Sequence, residues 1–305
     1  MAELYDVIVI GGGAAGSCAA QYTASRHWKT LLIDKGIQEG FLGSLGLVCQ
    51  FPGFPDAISG TEIVSRLHRQ AETAGAAIKT TTVDGLDVEG TNRKVKAETD
   101  EFEARTIILA TGAAARTGYL TGEQELFGRG VFHDARNDAP CIKDLEIAII
   151  GKSKLAAEEA LFLSKFADRV HFVIPSNRLD VDSRIFSQVQ HDIKIELHFS
   201  TSLKTINGQD RVTSITVFTG GQEKEIPITT VFTYMHDYQP MNQFLKNSIQ
   251  MAPNGGVMVN EQLETSVAGL FACGDILCAK PQIPVISVAQ GVIAGMSVEQ
   301  YLTKK

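Results

Sequence analysis

The sequence has no apolar run near the roughly 18 residues that a membrane-crossing helix needs, so nothing in it reads as a bilayer span. It has no surplus of positive charge. Its 28 Lys and Arg are outnumbered by 35 Asp and Glu, and the net charge of -7 gives no reason to expect nucleic acid or an anionic membrane as partner. It has no low-complexity segment. The start, Met1-Ala2-Glu3-Leu4-Tyr5-Asp6, has no basic region followed by an apolar one, so a cytoplasmic protein is expected. Cysteine is sparse. Positions 18, 49, 141, 273 and 278 fit neither a secreted disulfide framework nor a zinc spacing, so no metal site is expected. In a reducing compartment such cysteines are buried hydrophobes or redox groups.

What is present starts with two glycine turns. Val7-Ile8-Val9-Ile10 runs into Gly11-Gly12-Gly13-Ala14-Ala15-Gly16, the G-x-G-x-x-G spacing between a strand and a helix. Gly11 permits the tight turn, Gly13 lets backbone approach a pyrophosphate, and Gly16 lets helix pack close to strand. The phosphate would meet the positive end of the helix dipole. Asp34 ends the next apolar run, Thr30-Leu31-Leu32-Ile33, where a ribose-binding acid belongs. The second turn, Ile147-Ala148-Ile149-Ile150-Gly151-Lys152-Ser153-Lys154, puts serine at the middle glycine and lysines on both sides of it.

At 305 residues the chain can hold two domains. Strand, turn and helix are read over 5–27 and a second strand to Asp34. A helix over about 60–74 is capped by Thr61, and alternating segments near 78–88 and 92–99 form a meander. A buried strand, Thr106 to Leu109, leads into Ala110-Thr111-Gly112. The pattern then restarts with a strand at 146–150, a helix at 155–166 and a strand at 169–174. A second meander follows over roughly 193–233. Gly269 to Asp275 is a strand ending in an acid, followed by a helix through Ser287 to Leu302. The fold class is α/β, with one βαβ domain inserted into another. Residues 1–114 and 247–305 form the first domain, and 115–246 the insert.

With these motifs the chain resembles the low-molecular-weight thioredoxin reductases, pyridine nucleotide-disulfide oxidoreductases with an FAD domain and an inserted NADPH domain. The resemblance rests on Gly11 to Gly16, Phe51-Pro52-Gly53, Ala110-Thr111-Gly112-Ala113, Gly128-Arg129-Gly130-Val131, Glu158-Glu159-Ala160, Tyr238-Gln239-Pro240 and Phe271-Ala272-Cys273-Gly274-Asp275. It implies two three-layer ββα Rossmann-like domains, the second inserted into the first, and a homodimer. It implies FAD held by Gly11, Gly13, Ala14, Ala15, Gly16, Asp34 and Lys35, by Gly40, Phe41, Gln50 and Val83, and by Thr111, Gly112, Gly274 and Asp275. Gln282 and Ile283 would meet the flavin ring.

Three departures stand out. Counting on from Val131, the family's C-x-x-C positions hold Asp134 and Asn137, which cannot form a disulfide. Cys141 lies further on, alone, and reads as a strand-edge cysteine. The second turn has lost its middle glycine, and Arg178 stands without a second arginine to grip a 2′-phosphate. NADPH is therefore not expected as donor. Lys152 and Lys154 either hold a phosphate or form a solvated pair. Finally, Asp237 replaces the glycine next to nicotinamide, flanked by Tyr234, His236 and Tyr238. Those rings either fill the vacated space or stack on a broader one.

In the family the loop of Cys49 lies against the isoalloxazine, and the loop of Cys278 runs along the same flavin. The resemblance thus makes a Cys49–Cys278 redox disulfide facing FAD the expected catalytic pair, with Cys18 and Cys273 in the core. The chain looks most like the diflavin-linked disulfide oxidoreductase variant, with a second FAD where NADPH would sit. The expected function is an FAD enzyme moving electrons between flavin and a dithiol or disulfide of a small thiol or redox protein, and not an NADPH-thioredoxin reductase. A ferredoxin- or flavodoxin-linked reductase and a non-catalytic flavin redox sensor are the alternatives.

Overall fold

Val7-Ile8-Val9-Ile10 is β-branched at every position, which suits a pleated, fully covered surface. In the computed structural model the strand Leu4–Ile10 lies in the middle of a parallel sheet, between Thr30–Asp34 and Asp100–Leu109. The structure describes residues 3–98, 100–115, 120–132, 135–235, 238–245, 249–278 and 283–304. It divides into two units: residues 1–44, 59–114 and 238–305 form the first, and residues 45–58 and 115–237 the second. The insert was expected to begin at 115 and end at 246. In this division it ends at 237 and gains the loop 45–58.

The first unit's sheet runs Ala77–Thr80, Thr30–Asp34, Leu4–Ile10, Asp100–Leu109, Arg93–Ala97, Val83–Asp87, with Leu270–Ala272 paired to the far end of Asp100–Leu109. Side chains alternate across it. Val7 and Val9 pack with alanines of the helix Ala14–Ser25 and with Ala294 and Val298 of the helix Pro284–Thr303. Ile8 and Ile10 pack with Leu86 and Val95 of the antiparallel strands on the other face. Helices, parallel sheet and meander make three layers.

The second unit repeats the plan. Its parallel sheet runs Ile195–His198, Arg169–Val173, Glu146–Ile150, Thr230–Thr233, Val131–Phe132. Ile147, Ile149 and Phe172 pack against the helices Lys154–Leu163 and Ser183–His191. Ala148, Ile150 and Val173 pack against Ile215 and Val217 of the three-stranded sheet Ser202–Gly208, Val212–Thr219, Gln222–Pro227. Among the described residues no helix is long and apolar enough to cross a membrane.

Several local expectations change. Ser59, not Thr61, caps the helix Gly60–Thr73, accepting from the Glu62 amide at 3.2 Å, while the Thr61 hydroxyl donates to Gly43 O. Ala77–Thr80 joins the parallel sheet beside Thr30–Asp34 rather than the meander. Ile195–His198 and Thr230–Thr233 likewise belong to the second parallel sheet.

Candidate functional site

The glycine turn closes one end of a cavity of about 300 Å³ in the first unit. Gly11, at φ +102°, has no room for a side chain, since a Cβ would fall 2.4 Å from Ala110 O. Gly16 sits one turn into the helix, where a Cβ would lie 1.8 Å from Gly11 O, so helix and strand touch backbone to backbone. At Gly13 a Cβ would meet nothing within 4 Å. That position faces open space in the cavity wall, a cradle that a methyl group would begin to fill.

Gly13 is also the N-cap of the helix Ala14–Ser25, and no side chain caps it. A helix start leaves its first amides without helical partners. Here they border the cavity, beside Ala14 and Ala15. The cradle therefore suits the pyrophosphate of a dinucleotide. Asp34, buried, accepts from Gly12 N at 3.1 Å and from Gly36 N at 3.1 Å. His68, buried on the helix Gly60–Thr73, places Nε2 at 2.8 Å from Gly12 O. His68 was not anticipated, because its partner lies 56 residues away.

Of the expected FAD residues, Lys35, Gly40, Phe41, Val83, Thr111, Gly112, Gly274 and Asp275 line the same cavity. Its floor adds Thr81, Thr82, Met241, Gln243 and Phe244, which the sequence reading missed. Thr111 Oγ1 donates to Met241 O at 2.6 Å, and Met241 N donates to Gly112 O at 3.0 Å. Strand pairing of Tyr238–Pro240 with Ala113–Ala115 delivers that stretch. Ile283 caps the helix Pro284–Thr303, whose Pro284 and Ser287 reach the cavity. Gln50 is not among the residues that line it. Gln282, Asp134 and His236, and the side chains of Asn137 and Tyr238, lie outside the described residues.

The expected disulfide is replaced by another. Cys49 is bonded to Cys141, with Cα atoms 6.0 Å apart. The antiparallel bridge between Val48 and Ile58 folds the loop back on itself, and Cys141 stands in the short 3₁₀ turn Ala139–Ile142 of the same unit. Cys141 is thus not alone, and Cys49 is taken before Cys278 can pair with it. Cys278 is a thiol in the first unit, at φ 50°, with Asn254 Nδ2 donating to its carbonyl. Cys18 and Cys273 are buried thiols, as expected; burial pushes Cys18 up to about 11 and Cys273 up to about 12.

The second turn carries a capping hydroxyl that the first lacks. Ser153 caps the helix Lys154–Leu163, its Oγ accepting from Ala156 N at 3.2 Å. The serine that replaced glycine serves as the cap that the first turn lacks. Lys152 pairs with Asp180 at 3.1 Å and Lys154 with Glu158 at 3.6 Å, all largely exposed. Each lysine thus sits in an exposed ion pair at the start of this helix. Tyr234 packs against the apolar core of this unit, not on an open stacking face.

Residues 5–291 match the family model described as pyridine nucleotide-disulphide oxidoreductase. The chain is 33% identical to a thioredoxin reductase of Aquifex aeolicus over 306 residues, 99% of this chain and 95% of that one. It is 32% identical to the NADPH-dependent thioredoxin reductase 3 of Arabidopsis thaliana, covering 98% of this chain and 58% of that one. A crystal structure of thioredoxin reductase from Streptococcus pyogenes superposes with a TM-score of 0.92 at 27% identity, covering 99% of each chain. These findings overturn the expectation that the chain is not an NADPH-thioredoxin reductase. The altered second turn does not set the chain apart, since its serine caps the helix Lys154–Leu163. A second FAD in that turn is not shown, nor is the diflavin variant.

Proposed function

The chain belongs to the pyridine nucleotide-disulphide oxidoreductase family, and on that premise we propose that it is a thioredoxin reductase, an FAD enzyme that takes reducing equivalents from NADPH and passes them to a disulfide of a small redox protein. The observation that supports this reading is the agreement with thioredoxin reductases over nearly the whole chain. FAD, when bound, supplies two-electron transfer between a nicotinamide and a disulfide.

The chain's own residues divide the remaining work. The amides behind Gly13 would hold the pyrophosphate, and Asp34 would orient a ribose hydroxyl while it fastens the turn. NADPH would meet the turn at Gly151 and the exposed Arg178 of the second unit. Cys49–Cys141 takes the place of the C-x-x-C pair. Once reduced, one of its thiolates attacks the partner's disulfide and forms a mixed disulfide, and one partner sulfur leaves as thiolate. The other cysteine then attacks the bonded sulfur, closes Cys49–Cys141 again and releases the second partner thiol. The reading includes the homodimer and the cytoplasmic setting, both on the strength of the resemblance.

The test is anaerobic. Oxidised enzyme is mixed with excess NADPH while flavin absorbance is followed, and thioredoxin is then added. Bleaching of the flavin and appearance of thioredoxin thiols are expected, with Cys49→Ser bleaching but giving no thiols. A flavin that stays oxidised under NADPH would sink the proposal.

A further inference from the structure

On the second unit, away from both glycine turns in sequence, two histidines and a glutamate converge. The parallel strands Arg169–Val173 and Ile195–His198 pair His171 with Glu196 and Val173 with His198. Side chains two apart on a strand share a face, so His171, Glu196 and His198 all project from the same side of the sheet. His171 Nδ1 lies 3.2 Å from His198 Nε2 and 3.6 Å from Glu196 Oε2, and His198 Nε2 lies 3.5 Å from Glu196 Oε1. The histidine side chains are 10% and 15% exposed and the Glu196 side chain is 47% exposed, so the cluster opens to solvent on its carboxylate side.

We infer that His171, His198 and Glu196 form a site for a divalent transition-metal ion of the zinc type, with a fourth position open to water. Zinc bonds to histidine nitrogen and carboxylate oxygen are about 2.0–2.2 Å, and tetrahedral ligands on such bonds stand roughly 3.3–3.6 Å apart. The two histidine–glutamate separations, 3.6 Å to Oε2 and 3.5 Å to Oε1, fall on that edge, and the histidine–histidine separation of 3.2 Å lies just inside it. Two imidazole nitrogens aimed at each other need either a shared proton or a cation between them, and the adjacent carboxylate completes three ligand atoms for the cation.

The outer groups fit the same reading. His171 Nε2, the nitrogen turned away from the cluster, faces Glu146 Oε2 at 3.5 Å. A ligating histidine typically gives its other N–H to a carboxylate, which fixes the tautomer and makes the ligand more basic. Positive groups compete for the site. Arg169 Nη1 lies 3.5 Å from Glu196 Oε2, and Lys224 approaches from the strand Gln222–Pro227. A bound ion would draw Glu196 away from Arg169. It would also tie the edge strand Ile195–His198 to its neighbour.

The experiment uses the flavin-loaded full-length enzyme after treatment with a chelator. Zinc is titrated in competition with a chromophoric chelator, and cobalt is added separately to read coordination from its visible spectrum. A single saturable zinc per chain and a tetrahedral cobalt spectrum are expected. His198→Ala should abolish both, Glu196→Gln should weaken zinc at least tenfold, and Glu146→Gln should weaken it about tenfold through the outer hydrogen bond. Circular dichroism and flavin content of each variant show that it has folded. Glu196→Gln, on a half-exposed side chain, keeps the test decisive where His198→Ala does not fold. Zinc uptake by the native enzyme no greater than that of a folded Glu196→Gln variant would overturn the site, as would an octahedral cobalt spectrum.

Discussion

His68 holds Gly12 from behind: its Nε2 stands 2.8 Å from the Gly12 carbonyl oxygen, while Asp34 takes the Gly12 amide at 3.1 Å. Both polar groups of that glycine are thus pinned by side chains from other elements, and a Cβ on Gly12 would fall 2.6 Å from His68 Nε2 and 2.7 Å from Asp34 Oδ2. His68→Leu should leave the buried Gly12 carbonyl with one donor, Ser17 Oγ at 2.7 Å, in place of two, at about 0.5–1.5 kcal/mol. The expected result is FAD binding weakened by up to roughly tenfold, measured by equilibrium dialysis. His68→Gln, whose amide can still reach the carbonyl, should recover most of the loss.

The glycines of the turn should fail in different ways. Gly13→Ala adds a methyl group where the protein leaves space, so the apoprotein should fold and melt normally yet lose FAD on gel filtration. Gly16→Ala drives a methyl group into Gly11 O at 1.8 Å, so it should lower the melting temperature or prevent folding outright. Flavin retained by Gly13→Ala, or a normal melt for Gly16→Ala, would contradict this division.

Thiol counting checks the disulfide. The oxidised protein, denatured without reductant, should alkylate at Cys18, Cys273 and Cys278 only, and at all five cysteines after reduction. Cys49→Ser should release Cys141 for alkylation. The bridge spans a sequence separation of 92, so reduction should also lower stability, by up to about 4.6 kcal/mol in the chain-entropy picture. A peptide map joining Cys49 to Cys278 would instead restore the pairing expected from the sequence.

Acid should weaken the metal-free second unit through His198. Burial holds its folded value below the ordinary 6.5 of the unfolded chain. A group with a depressed folded value stabilises the fold fully above the unfolded value, and that contribution is lost as pH falls from there through the folded value. The melting temperature should therefore drop below about pH 6.5, and His198→Asn should flatten that part of the profile. An unchanged slope in the variant would remove His198 as its source.

Flavin content should be a single FAD per chain. In the reading proposed here the second unit takes NADPH, and the uncapped turn at Gly13, which borders the cavity, is the one that holds FAD. Extracted flavin measured against amino-acid analysis checks this.

The sequence disclosed what is local. Gly11, Gly13, Gly16 and Asp34 were readable because spacing alone carries their backbone chemistry, and the alternation of strands and helices disclosed two βαβ units, whose three layers the resemblance implied. Thr81, Met241 and Phe244 were not readable, because strand pairing brings them to the cavity from distant stretches. The helix Ser183–His191 had signals that were passed over: Asp182 as cap, and Ile185 and Val189 four apart on a buried face. Cys141 looked solitary because its partner depends on where the loop 45–58 settles. His171 and His198 became neighbours only through register between two strands.

That loop has a further consequence for how the protein can be taken apart. The second unit is compact in space but not continuous in sequence: the chain enters it at 45, leaves at 58 and returns at 115. A gene fragment cut at 115 and 237 would encode Cys141 and leave its bonded partner on the discarded piece. Fusion, shuffling or separate expression of the halves must therefore carry the early loop along, grafted or supplied as a peptide, for the excised half to keep its covalent brace.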